Sequence, residues 1–456
     1  MTLHIVIMAA GKGTRMKSDR PKVLHTLAGR SLLQRVLDTT ATLQAEHTLV
    51  IVGHGADQVQ KAIDVPAVRM VKQEPQLGTG HAIQQVVPEL PDEGTTLILN
   101  GDVPLIRAET ARALAEACGG QRLALLTVTL ADATGYGRIV RSADGGSVQA
   151  IVEHKDATPA QREIREVYTG MMAAPTAWLK RAVMALDNQN AQREYYLTDI
   201  VKMAVAQGVP VVASAAAAEI EVRGINSPRE LAQLERLHQA AQADALMEAG
   251  VRLADPARID VRGTLHCGRD VEIDVNCIFE GEVTLGDGVR IGANCVIRSA
   301  RIEADAVIHP FTHVEQAQVG PGSLIGPYAR LRPGAVLGTE VHIGNFVEVK
   351  NSTLAHGAKA NHLAYLGDST VGERVNFGAG SITANYDGVN KHRTVIGNDV
   401  HVGSNCVLVA PVTLGDGATI GGGSTIAKDA PAGQLSVSRA RQLTVPGWKR
   451  PAKLPK

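Results

Sequence analysis

The C-terminal half of this chain repeats an aliphatic residue at every sixth position. The spacing holds without a slip in two runs: Val319, Ile325, Leu331, Leu337, Ile343 and Val349, then Ile396, Val402, Leu408, Leu414, Ile420 and Ile426. A period of six fits neither an amphipathic helix nor an alternating strand, but it fits a coil of short parallel strands that each direct one side chain into a narrow core. The repeat therefore predicts a parallel β-helix over residues 251–436, stable only because its coils stack on one another.

Composition and breaks in the rhythm add to this prediction. Aromatic residues make up only 3% of the chain, which suits a thin core with little room for rings. The segment from Ser381 to Val395 interrupts the repeat altogether. Because an excursion from a regular rod is a common place for function, we expect a functional loop there. The exposed faces of the rod are expected to pair with copies of themselves.

Residues 1–226 have a different pattern. Apolar runs such as Ile5–Met8 and Leu97–Leu99 alternate with helix-patterned stretches such as Leu32–Leu43, which predicts a mostly parallel, Rossmann-like α/β sheet. Ser227 opens a capping box with Pro at the first helical position, and Gly250 ends the pattern, so residues 227–250 are predicted to form a linker helix. The C-terminal domain, 251–456, includes a tail without repeats.

Bulk properties exclude several classes of partner. Lys plus Arg and Asp plus Glu both number 46, so the net charge is 46 − 46 = 0, and neither nucleic acid nor an anionic membrane is an expected partner. The N-terminal run has no basic residues before it and is interpreted as a buried strand, not a signal peptide. The five cysteines lack CxxC spacing and are interpreted as reduced core thiols of a cytoplasmic protein, with a redox or metal role as the alternative.

Two features of the N-terminal half suggest a nucleotide site. A glycine-rich loop containing Gly11, Lys12 and Arg15 follows the first strand, where backbone N–H groups can approach a phosphate; an ordinary glycine-rich turn is the alternative. Asp102 follows a buried run at the carboxyl end of another strand, which suits Mg²⁺ bound together with phosphates. A turn-capping aspartate is the alternative there.

Motifs along the whole chain resemble those of one family. They are AAGKGTRM, PKVLHTLAGR, LGTGHA, GDVPL, TGYGRI, VEHKDAT and EYYLTDI, followed by ARLRPGA, GNFVEVK, AYLGD and ITANYDG. Their combination is similar to the bacterial bifunctional N-acetylglucosamine-1-phosphate uridylyltransferases and glucosamine-1-phosphate N-acetyltransferases of UDP-N-acetylglucosamine biosynthesis. The resemblance implies a nucleotidyltransferase domain in front of a left-handed parallel β-helix of hexapeptide repeats.

For the N-terminal domain, the resemblance implies transfer of UMP from UTP to N-acetylglucosamine 1-phosphate, with Mg²⁺ as cofactor. Catalysis would depend on Arg15 and Lys22, which contact the triphosphate, and Mg²⁺ would be held by Asp102 and Asn226. The resemblance places the uracil against Ala9, Ala10, Gly11, Gln73, Gly78 and Thr79, and the sugar phosphate partner against Gly137 and Glu153. With Lys22, Asp102 and Asn226, these residues make up the full set implied to bind UTP or the sugar nucleotide. One departure is Tyr168, where the family has Asn; we expect the backbone or Thr169 to replace that sugar contact.

For the C-terminal domain, the resemblance implies a homotrimer with sites built from adjacent subunits and His362 as the general base that deprotonates the sugar amine. Glucosamine 1-phosphate would be held by Arg332, Lys350, Tyr365 and Asn376, with Glu348 orienting the amine or the base. Acetyl-CoA would contact Ala379, Asn385, Tyr386, Ser404, Gly422 and Arg439. Gly422 replaces an Ala that is frequent in the family.

Two alternatives stay open from the sequence. One is a sugar-1-phosphate nucleotidyltransferase whose β-helix is purely structural or regulatory. The other is a regulatory scaffold that has kept both folds and lost catalysis. The presence of His362 and the ANYDG loop disfavours the first, and the presence of Lys22, Asp102 and Asn226 disfavours the second.

Overall fold

The computed structural model describes residues 2–63, 65–142, 145–190 and 192–452. The chain forms two compact units, Met1–His238 and Gln239–Lys456. The division falls inside the helix that the sequence predicts as a linker. The domain boundaries at 226 and 250 stay predictions, and each unit is described by itself below.

The first unit is built on a nine-stranded sheet with the order β11-β7-β10-β6-β1-β4-β5, in which β8 and β9 form a hairpin beside β10. Neighbouring strands are parallel except where β10 pairs antiparallel with β6, β7 and β8, and where β8 pairs with β9. The strands are β1 Leu3–Met8, β4 His47–Val52, β5 Val68–Lys72, β6 Thr95–Asn100, β7 Leu123–Thr129, β8 Arg138–Arg141, β9 Val148–Val152, β10 Glu166–Pro175 and β11 Val211–Ala215, with β2 Thr26–Leu27 and β3 Arg30–Ser31 as a separate two-stranded pair.

Helices cover both faces of this sheet, as expected for a sheet buried on two sides. The helices of this unit are α1 Leu32–Ala41, α2 Ala56–Ala62, α3 Thr79–Val86, α4 Ala108–Cys118, α5 Pro159–Arg162, α6 Thr176–Met184 and α7 Ile200–Ala206, with 3-10 helices at Thr14–Met16, Lys22–Leu24, Val87–Glu89, Leu197–Asp199 and Glu219–Val222. Helix α8, Pro228–Glu248, crosses the division between the units, and a further 3-10 helix, Pro256–Arg258, lies in the second unit. Ile5 and Ile7 of β1 join a core with α1, α2 and α4, whereas Val6 joins one with α3, α6 and α7. The predicted α/β sheet is confirmed.

Helix α8 begins at the proline that the sequence predicts. Ser227 Oγ accepts a hydrogen bond from Glu230 N at 3.3 Å, which is the capping half of the predicted box. The Glu230 carboxylate accepts from Asn226 N at 2.7 Å, so it also holds the backbone of a predicted metal ligand. The first half of α8 belongs to the sheet unit, because Leu234 packs in a buried cluster with Met16 and Ile225.

The second unit is a parallel β-helix, which confirms the prediction from the six-residue repeat. Its strands form one sheet of 11 strands and one of 17, and the larger sheet contains two interleaved columns, so each coil contributes to three walls. The 11-stranded wall comprises Arg252–Leu253, Glu272–Ile273, Arg290–Ile291, Val307–Ile308, Leu324–Ile325, His342–Asn345, Lys359–His362, Asn376–Phe377, His401–Val402, Thr419–Ile420 and Leu435–Ser436. The other walls comprise Ile259–Cys267, Cys277–Leu285, Val296–Arg298, Arg301–Ile302, His313–Glu315, Gln318–Val319, Arg330–Leu331, Val336–Leu337, Glu348–Lys350, Thr353–Leu354, Tyr365–Gly367, Ser369–Val371, Ile382–Ala384, Thr394–Ile396, Val407–Val409, Val412–Leu414 and Thr425–Ile426.

Most coils take 17 or 18 residues. Leu324 aligns with His342, a spacing of 342 − 324 = 18, whereas Tyr365 aligns with Ile382, a spacing of 382 − 365 = 17. The short coils use five-residue turns whose corner residues, among them Asn351 and Asp368, have positive φ angles of 45° and 50°. These turns explain the places where the sequence repeat is one residue short.

The interruption predicted from Ser381 to Val395 is shorter than expected. Strands Ile382–Ala384 and Thr394–Ile396 continue the ladder, so only residues 385–393 leave the rod. The sequence hides the first of these strands because Thr383, not an aliphatic residue, occupies the inward position, where its Oγ1 accepts a hydrogen bond from Gly367 N at 2.8 Å. We call residues 385–393 the excursion loop.

The five cysteines are free, and four of them are buried while Cys267 is half-buried. Burial raises the pKa of the Cys277 thiol to about 11, so it stays protonated and unreactive. Cysteines in apolar surroundings therefore contribute packing, as the sequence predicts. Within the described residues, no helix combines the length and apolar character that spanning a bilayer requires.

Candidate active sites

The first site lies at the carboxyl end of the parallel strands in the sheet unit. Strand β1 ends at Met8, and Ala9 N donates to Ile51 O at 2.9 Å, which continues the ladder into the glycine-rich loop. Gly13 has φ +61°, and a Cβ there would lie 2.7 Å from Lys22 Cβ, so the loop can pass close to Lys22 only with glycine. The loop borders a cavity of about 630 Å³ lined by Met8, Ala9, Ala10, Gly11, Lys12, Gly13, Thr14, Lys22, Val23, Gln73, Gln76, Gly78, Thr79, Ala82, Asn100, Asp102 and Glu194.

The wall opposite the glycine-rich loop is a second, hydrogen-bonded loop. Gln73 Nε2 donates to Gly78 O at 3.0 Å, and Thr79 Oγ1 accepts from Leu197 N at 3.1 Å. Gly78 has φ +108°, and a Cβ there would lie 2.7 Å from Tyr195 O. The Gln76 side chain donates to Ala10 O and so joins the two loops. Three of the predicted uracil contacts are therefore held in one rigid wall.

Lys22, Asp102 and Asn226 converge although they are distant in sequence. The Lys22 ammonium forms an ion pair with Asp102 Oδ2 and donates to Asn226 Oδ1 at 3.1 Å. Asp102 follows β6, while Asn226 lies in the segment just before α8, where Ile225 N donates to Asp102 O at 3.0 Å. A carboxylate and an amide oxygen thus face one positive charge at the edge of the cavity.

This donor set fits the Mg²⁺ that the sequence predicts. Asp102 and Asn226 direct oxygen atoms at a common cation, here the Lys22 ammonium. Oxygen donors in small number are what Mg²⁺ accepts when substrate phosphates supply further ligands. The pair is therefore compatible with a divalent ion at this position.

A second cavity of about 530 Å³ adjoins the first, and the two share Asn100 and Asp102 in their linings. Arg15 and Asn226 line this second cavity. Gly137 and Glu153 lie outside both linings but beside each other, because a Cβ on Gly137 would lie 3.6 Å from Glu153 Oε1. The structure brings the predicted nucleotide set together and leaves these two predicted sugar contacts as a separate pair.

Tyr168, the departure from the family pattern, is buried next to that pair. Its backbone N donates to Gly137 O at 2.9 Å. Burial, with a smaller contribution from the Glu153 carboxylate, raises the pKa of the Tyr168 hydroxyl well above its usual value. Burial also raises the pKa of Glu153. Thr169 Oγ1 donates to Leu126 O at 2.9 Å, so this hydroxyl is already engaged within the sheet.

The second site follows one corner of the β-helix. Backbone hydrogen bonds stack the corner residues of successive coils: Gly380 N donates to His362 O at 3.2 Å, Asn405 N to Ala379 O at 2.7 Å, and Gly423 N to Ser404 O at 2.8 Å. The Arg439 guanidinium donates to Gly422 O at 2.6 Å. The corner therefore aligns His362 with four of the residues predicted to bind acetyl-CoA: Ala379, Ser404, Gly422 and Arg439.

His362 is exposed at this corner and has one oriented ring nitrogen. Its Nδ1 lies 2.9 Å from Asn345 Oδ1, and Asn345 aligns with His362 in the ladder. With Nδ1–H donating to the amide oxygen, Nε2 is left as a proton acceptor facing outward. This arrangement of a base and an orienting group is typical of general base catalysis.

The predicted sugar contacts lie on two different walls. Glu348 aligns with Tyr365 in the 17-stranded sheet, and Arg332 Nη1 donates to Glu348 Oε1 at 2.7 Å. Lys350 forms an ion pair with the buried Asp368 at 3.6 Å. Asn376, in contrast, lies in the 11-stranded sheet. A single chain therefore groups Arg332, Lys350 and Tyr365 but not Asn376.

The chain is similar to known proteins over nearly its whole length. The MobA-like NTP transferase domain matches residues 5–252, more than half of the chain; the GMPPB C-terminal domain matches residues 261–346; and six repeats of the bacterial transferase hexapeptide match residues 393–428. The chain is 73% identical to the bifunctional protein GlmU of Methylibium petroleiphilum over 99% of both chains, and 66% identical to that of Paracidovorax citrulli over 100% of this chain and 99% of the relative.

The chain belongs to the GlmU family of bifunctional proteins. The family expected from the motifs is confirmed, and with it a bifunctional enzyme that is a uridylyltransferase and an acetyltransferase. A solved complex of UDP-glucose pyrophosphorylase with UDP-glucose overlaps 52% of this chain and 98% of that chain, with a TM-score of 0.44 at 14% identity.

Some residues of these GlmU-type sites were missed by the sequence analysis. Asn345 forms a hydrogen bond with the His362 ring, Gln76 joins the two loops of the first cavity, and Asp368 forms an ion pair with Lys350. Asn345 and Asp368 each lie 17 residues from a predicted site residue, His362 or Asn385, with which they form a hydrogen bond. Subtracting one coil length of 17 residues from the number of each predicted residue finds both.

Proposed function

We propose that this GlmU-family chain acetylates glucosamine 1-phosphate with acetyl-CoA in the β-helix and then transfers UMP from UTP to N-acetylglucosamine 1-phosphate in the sheet unit. The products are UDP-N-acetylglucosamine, for peptidoglycan and lipopolysaccharide synthesis, and pyrophosphate. The observation that carries this proposal is that each unit assembles its own reacting groups: Lys22, Asp102 and Asn226 in one, and His362 with Asn345 in the other.

Uridylyl transfer uses no protein nucleophile. A phosphate oxygen of the sugar phosphate attacks the α-phosphorus of UTP in line, and pyrophosphate leaves with the electrons of the broken P–O bond. The backbone of the glycine-rich loop and the cations Lys22 and Arg15 hold the triphosphate, so catalysis is positioning and charge neutralisation. Bound Mg²⁺, held by Asp102 and Asn226, would supply further neutralisation of phosphate charge.

Recognition of the base and the sugar is assigned to rigid parts of the sheet unit. Gln73, Gly78 and Thr79 lie in the wall that Gln76 ties to the glycine-rich loop, which supports their role against uracil. Gly137 and Glu153 are proposed to meet the sugar phosphate partner. Because Thr169 Oγ1 is engaged with Leu126 O, the backbone near Tyr168 is the better replacement for the missing Asn side chain.

Acetyl transfer depends on His362. Its Nε2 takes a proton from the sugar amine as the amine nitrogen attacks the thioester carbonyl. The C–S bond then breaks, and the departing thiolate of CoA takes up the proton from His362. Arg332, Lys350 and Tyr365 are proposed to hold the phosphorylated sugar, while Ala379, Ser404, Gly422 and Arg439 with Asn385 and Tyr386 hold acetyl-CoA. Lys391 in the excursion loop adds a third cation, and its contact with Lys350 lowers the pKa of Lys391, because the two positive charges repel each other.

We further propose a homotrimer with the acetyl-transfer sites between subunits. Asn376 and Lys350 lie on different walls of one rod, so a second copy is needed to place both against one substrate. The rod also carries a stacked ladder of exposed aromatic rings, Phe311, Tyr328 and Phe346, which are 49%, 48% and 56% exposed in the single chain. An exposed apolar ladder of this kind is suited to packing against another copy.

A cytoplasmic location is proposed from the substrates and the thiols. UTP and acetyl-CoA are intracellular metabolites, and free buried cysteines are usual in a reducing compartment.

The decisive experiment is a paired assay on the intact protein. CoA release is measured with acetyl-CoA and glucosamine 1-phosphate, pyrophosphate release with UTP, N-acetylglucosamine 1-phosphate and Mg²⁺, and the assembly mass by light scattering. We expect both releases from a trimer, with the acyl reaction requiring a free amine on the sugar. Pyrophosphate release without CoA release would instead support a nucleotidyltransferase with a structural or regulatory β-helix.

A further inference from the structure

Asp368 lies at the centre of the acetyl-transfer face without a role in the reaction described above. It occupies the corner of a five-residue turn with φ +50° and is only 7% exposed. A buried carboxylate is costly unless it is paired and hydrogen-bonded, so its partners must compensate for its burial.

Those partners come from the two coils on either side of Asp368. From the coil before, Asn351 Nδ2 donates to Asp368 Oδ1 at 2.5 Å, and the Lys350 ammonium lies 3.6 Å from Asp368 Oδ2. From the coil after, the Asn385 side chain donates to Asp368 Oδ2. Burial by itself would raise the pKa of Asp368, but the hydrogen bonds from Asn351 and Asn385 and the ammonium groups of Lys350 and Lys391 lower it, so the carboxylate is charged.

Asp368 also holds the excursion loop at both ends. Its carboxylate binds Asn385, the first residue of the loop, and its backbone oxygen accepts from Thr394 N at 3.2 Å, directly after the loop. Its own N donates to Lys350 O at 3.1 Å. One residue is therefore bonded to the side proposed for acetyl-CoA and to the side proposed for the sugar phosphate.

We propose that Asp368 is a positioning residue that couples the two substrate subsites of the acetyltransferase, by fixing the excursion loop and the Lys350 ammonium relative to each other. It does not touch the reacting atoms. The inference rests on the proposed function, because Asn385 and Lys350 are substrate contacts only in that account.

The test is the isosteric substitution Asp368→Asn in the full-length protein. The amide has only one oxygen, so it cannot accept hydrogen bonds from both Asn351 and Asn385. It also carries no negative charge to attract the Lys350 ammonium. Both substrate subsites should therefore be held less firmly. We expect KM to rise about tenfold for acetyl-CoA and also for glucosamine 1-phosphate, because the charged group that holds both subsites is lost. Lys350→Met should raise mainly the KM for the sugar phosphate, and Asn385→Ala mainly that for acetyl-CoA.

Two measurements separate this role from general damage. Pyrophosphate release by the same molecules should stay at the wild-type rate, and Asp287→Asn, which changes an exposed carboxylate bonded to the Arg269 backbone, should leave both KM values unchanged. Trypsin should cut faster after Lys391 or Arg393 in Asp368→Asn, because the loop has lost its anchor. If folding of this variant fails, the same cleavage assay on Asn351→Ala tests the anchor with Asp368 intact.

The outcomes can be distinguished. Unchanged KM values for both substrates and unchanged cleavage would overturn the positioning role, and so would a rise in the sugar KM alone. The double variant Asp368→Asn, Asn385→Ala should lose less than the product of the two single effects, because the two residues share one contact. If the wild-type protein releases no CoA, the proposed function fails, whatever the variants do.

Discussion

The two active sites of this chain are assembled in different ways. In the sheet unit, Lys22 contacts Asp102, 80 positions away, and Asn226, 204 positions away. These residues meet because the carboxyl ends of the parallel strands and the segment before α8 lie at one edge of the sheet. In the β-helix, site residues follow one another at coil spacing, as Asn345 and His362 do over 17 positions. The first site can be located from strand ends, and the second from a period.

The two sites also differ in whether a single chain brings all of the predicted contacts together. The cation in the sheet site is already paired with Asp102 in a single chain, so one copy carries the proposed metal ligands together. The β-helix divides its predicted sugar contacts between walls. We therefore predict that one subunit is sufficient for uridylyl transfer, whereas acetyl transfer requires the assembled oligomer.

Removal of the proposed base His362 tests most directly whether the two sites work separately. His362→Ala should lower CoA release by about 10³-fold, the usual contribution of a general base, and leave pyrophosphate release near the wild-type rate. Steady-state rates for both products from one preparation check this. His356→Ala removes another histidine of the β-helix, one bonded to Thr339 O, and should change neither rate. Equal loss of both activities in a folded protein would contradict separate sites.

The reciprocal change is Asp102→Asn in the sheet unit. It keeps the shape of the side chain but removes the charge that faces Lys22 and the proposed Mg²⁺, so pyrophosphate release should fall about 10²-fold. CoA release should be unaffected. Chelation by EDTA should stop pyrophosphate release in the wild type without slowing CoA release, and Asp92→Asn, at an exposed carboxylate paired with Lys180, serves as the matched control. Metal-independent pyrophosphate release would refute the cation site.

A third test sharpens the boundary between the regions. Fragments ending at residue 227 and at residue 238 both contain the sheet, but only the longer one keeps Leu234 in the cluster with Met16 and Ile225. The longer fragment should be about 2–3 kcal/mol more stable in urea unfolding, because a buried Leu is worth about that much. Both should release pyrophosphate and neither CoA. Equal stability would place the boundary before α8, as the sequence predicts.

The smallest expected effect concerns the orientation of the base. Asn345→Ala should lower CoA release about tenfold, because His362 loses the partner of Nδ1 but keeps its place in the ladder. Asn345→Asp should restore the hydrogen bond, and a carboxylate there favours the imidazolium, so the acidic limb of the pH–rate profile should move to higher pH. An unchanged profile in Asn345→Asp would exclude Asn345 as the orienting group.

Much of this architecture could be predicted from the sequence, for identifiable reasons. The hexad positions from Val319 to Val349 read directly as inward side chains, and Asp102 could be placed because it follows a buried run at a strand end. The interruption was predicted too long because Thr383 satisfies an inward position through a hydrogen bond to Gly367, which an aliphatic pattern does not register. A pattern of aliphatic residues does not predict a strand whose inward residue is polar.

The remaining site details needed three-dimensional contacts. The separation of Asn376 from Lys350 depends on which wall each strand joins, and the sequence does not state that. The engagement of Thr169 with Leu126 O depends on how β10 pairs with β7. Long-range pairing of this kind has no local signature, whereas the one-coil offset that finds Asn345 and Asp368 does.

The excursion loop has a further consequence. Ile382 still aligns with Val407 although 407 − 382 = 25 residues separate them, and the next coil, from Val407 to Thr425, returns to 18. A rod held together by neighbour contacts thus absorbs extra chain at a corner without disturbing the coils on either side. Foreign peptides grafted at other corners should be tolerated for the same reason, which makes this half of the molecule a natural scaffold for display.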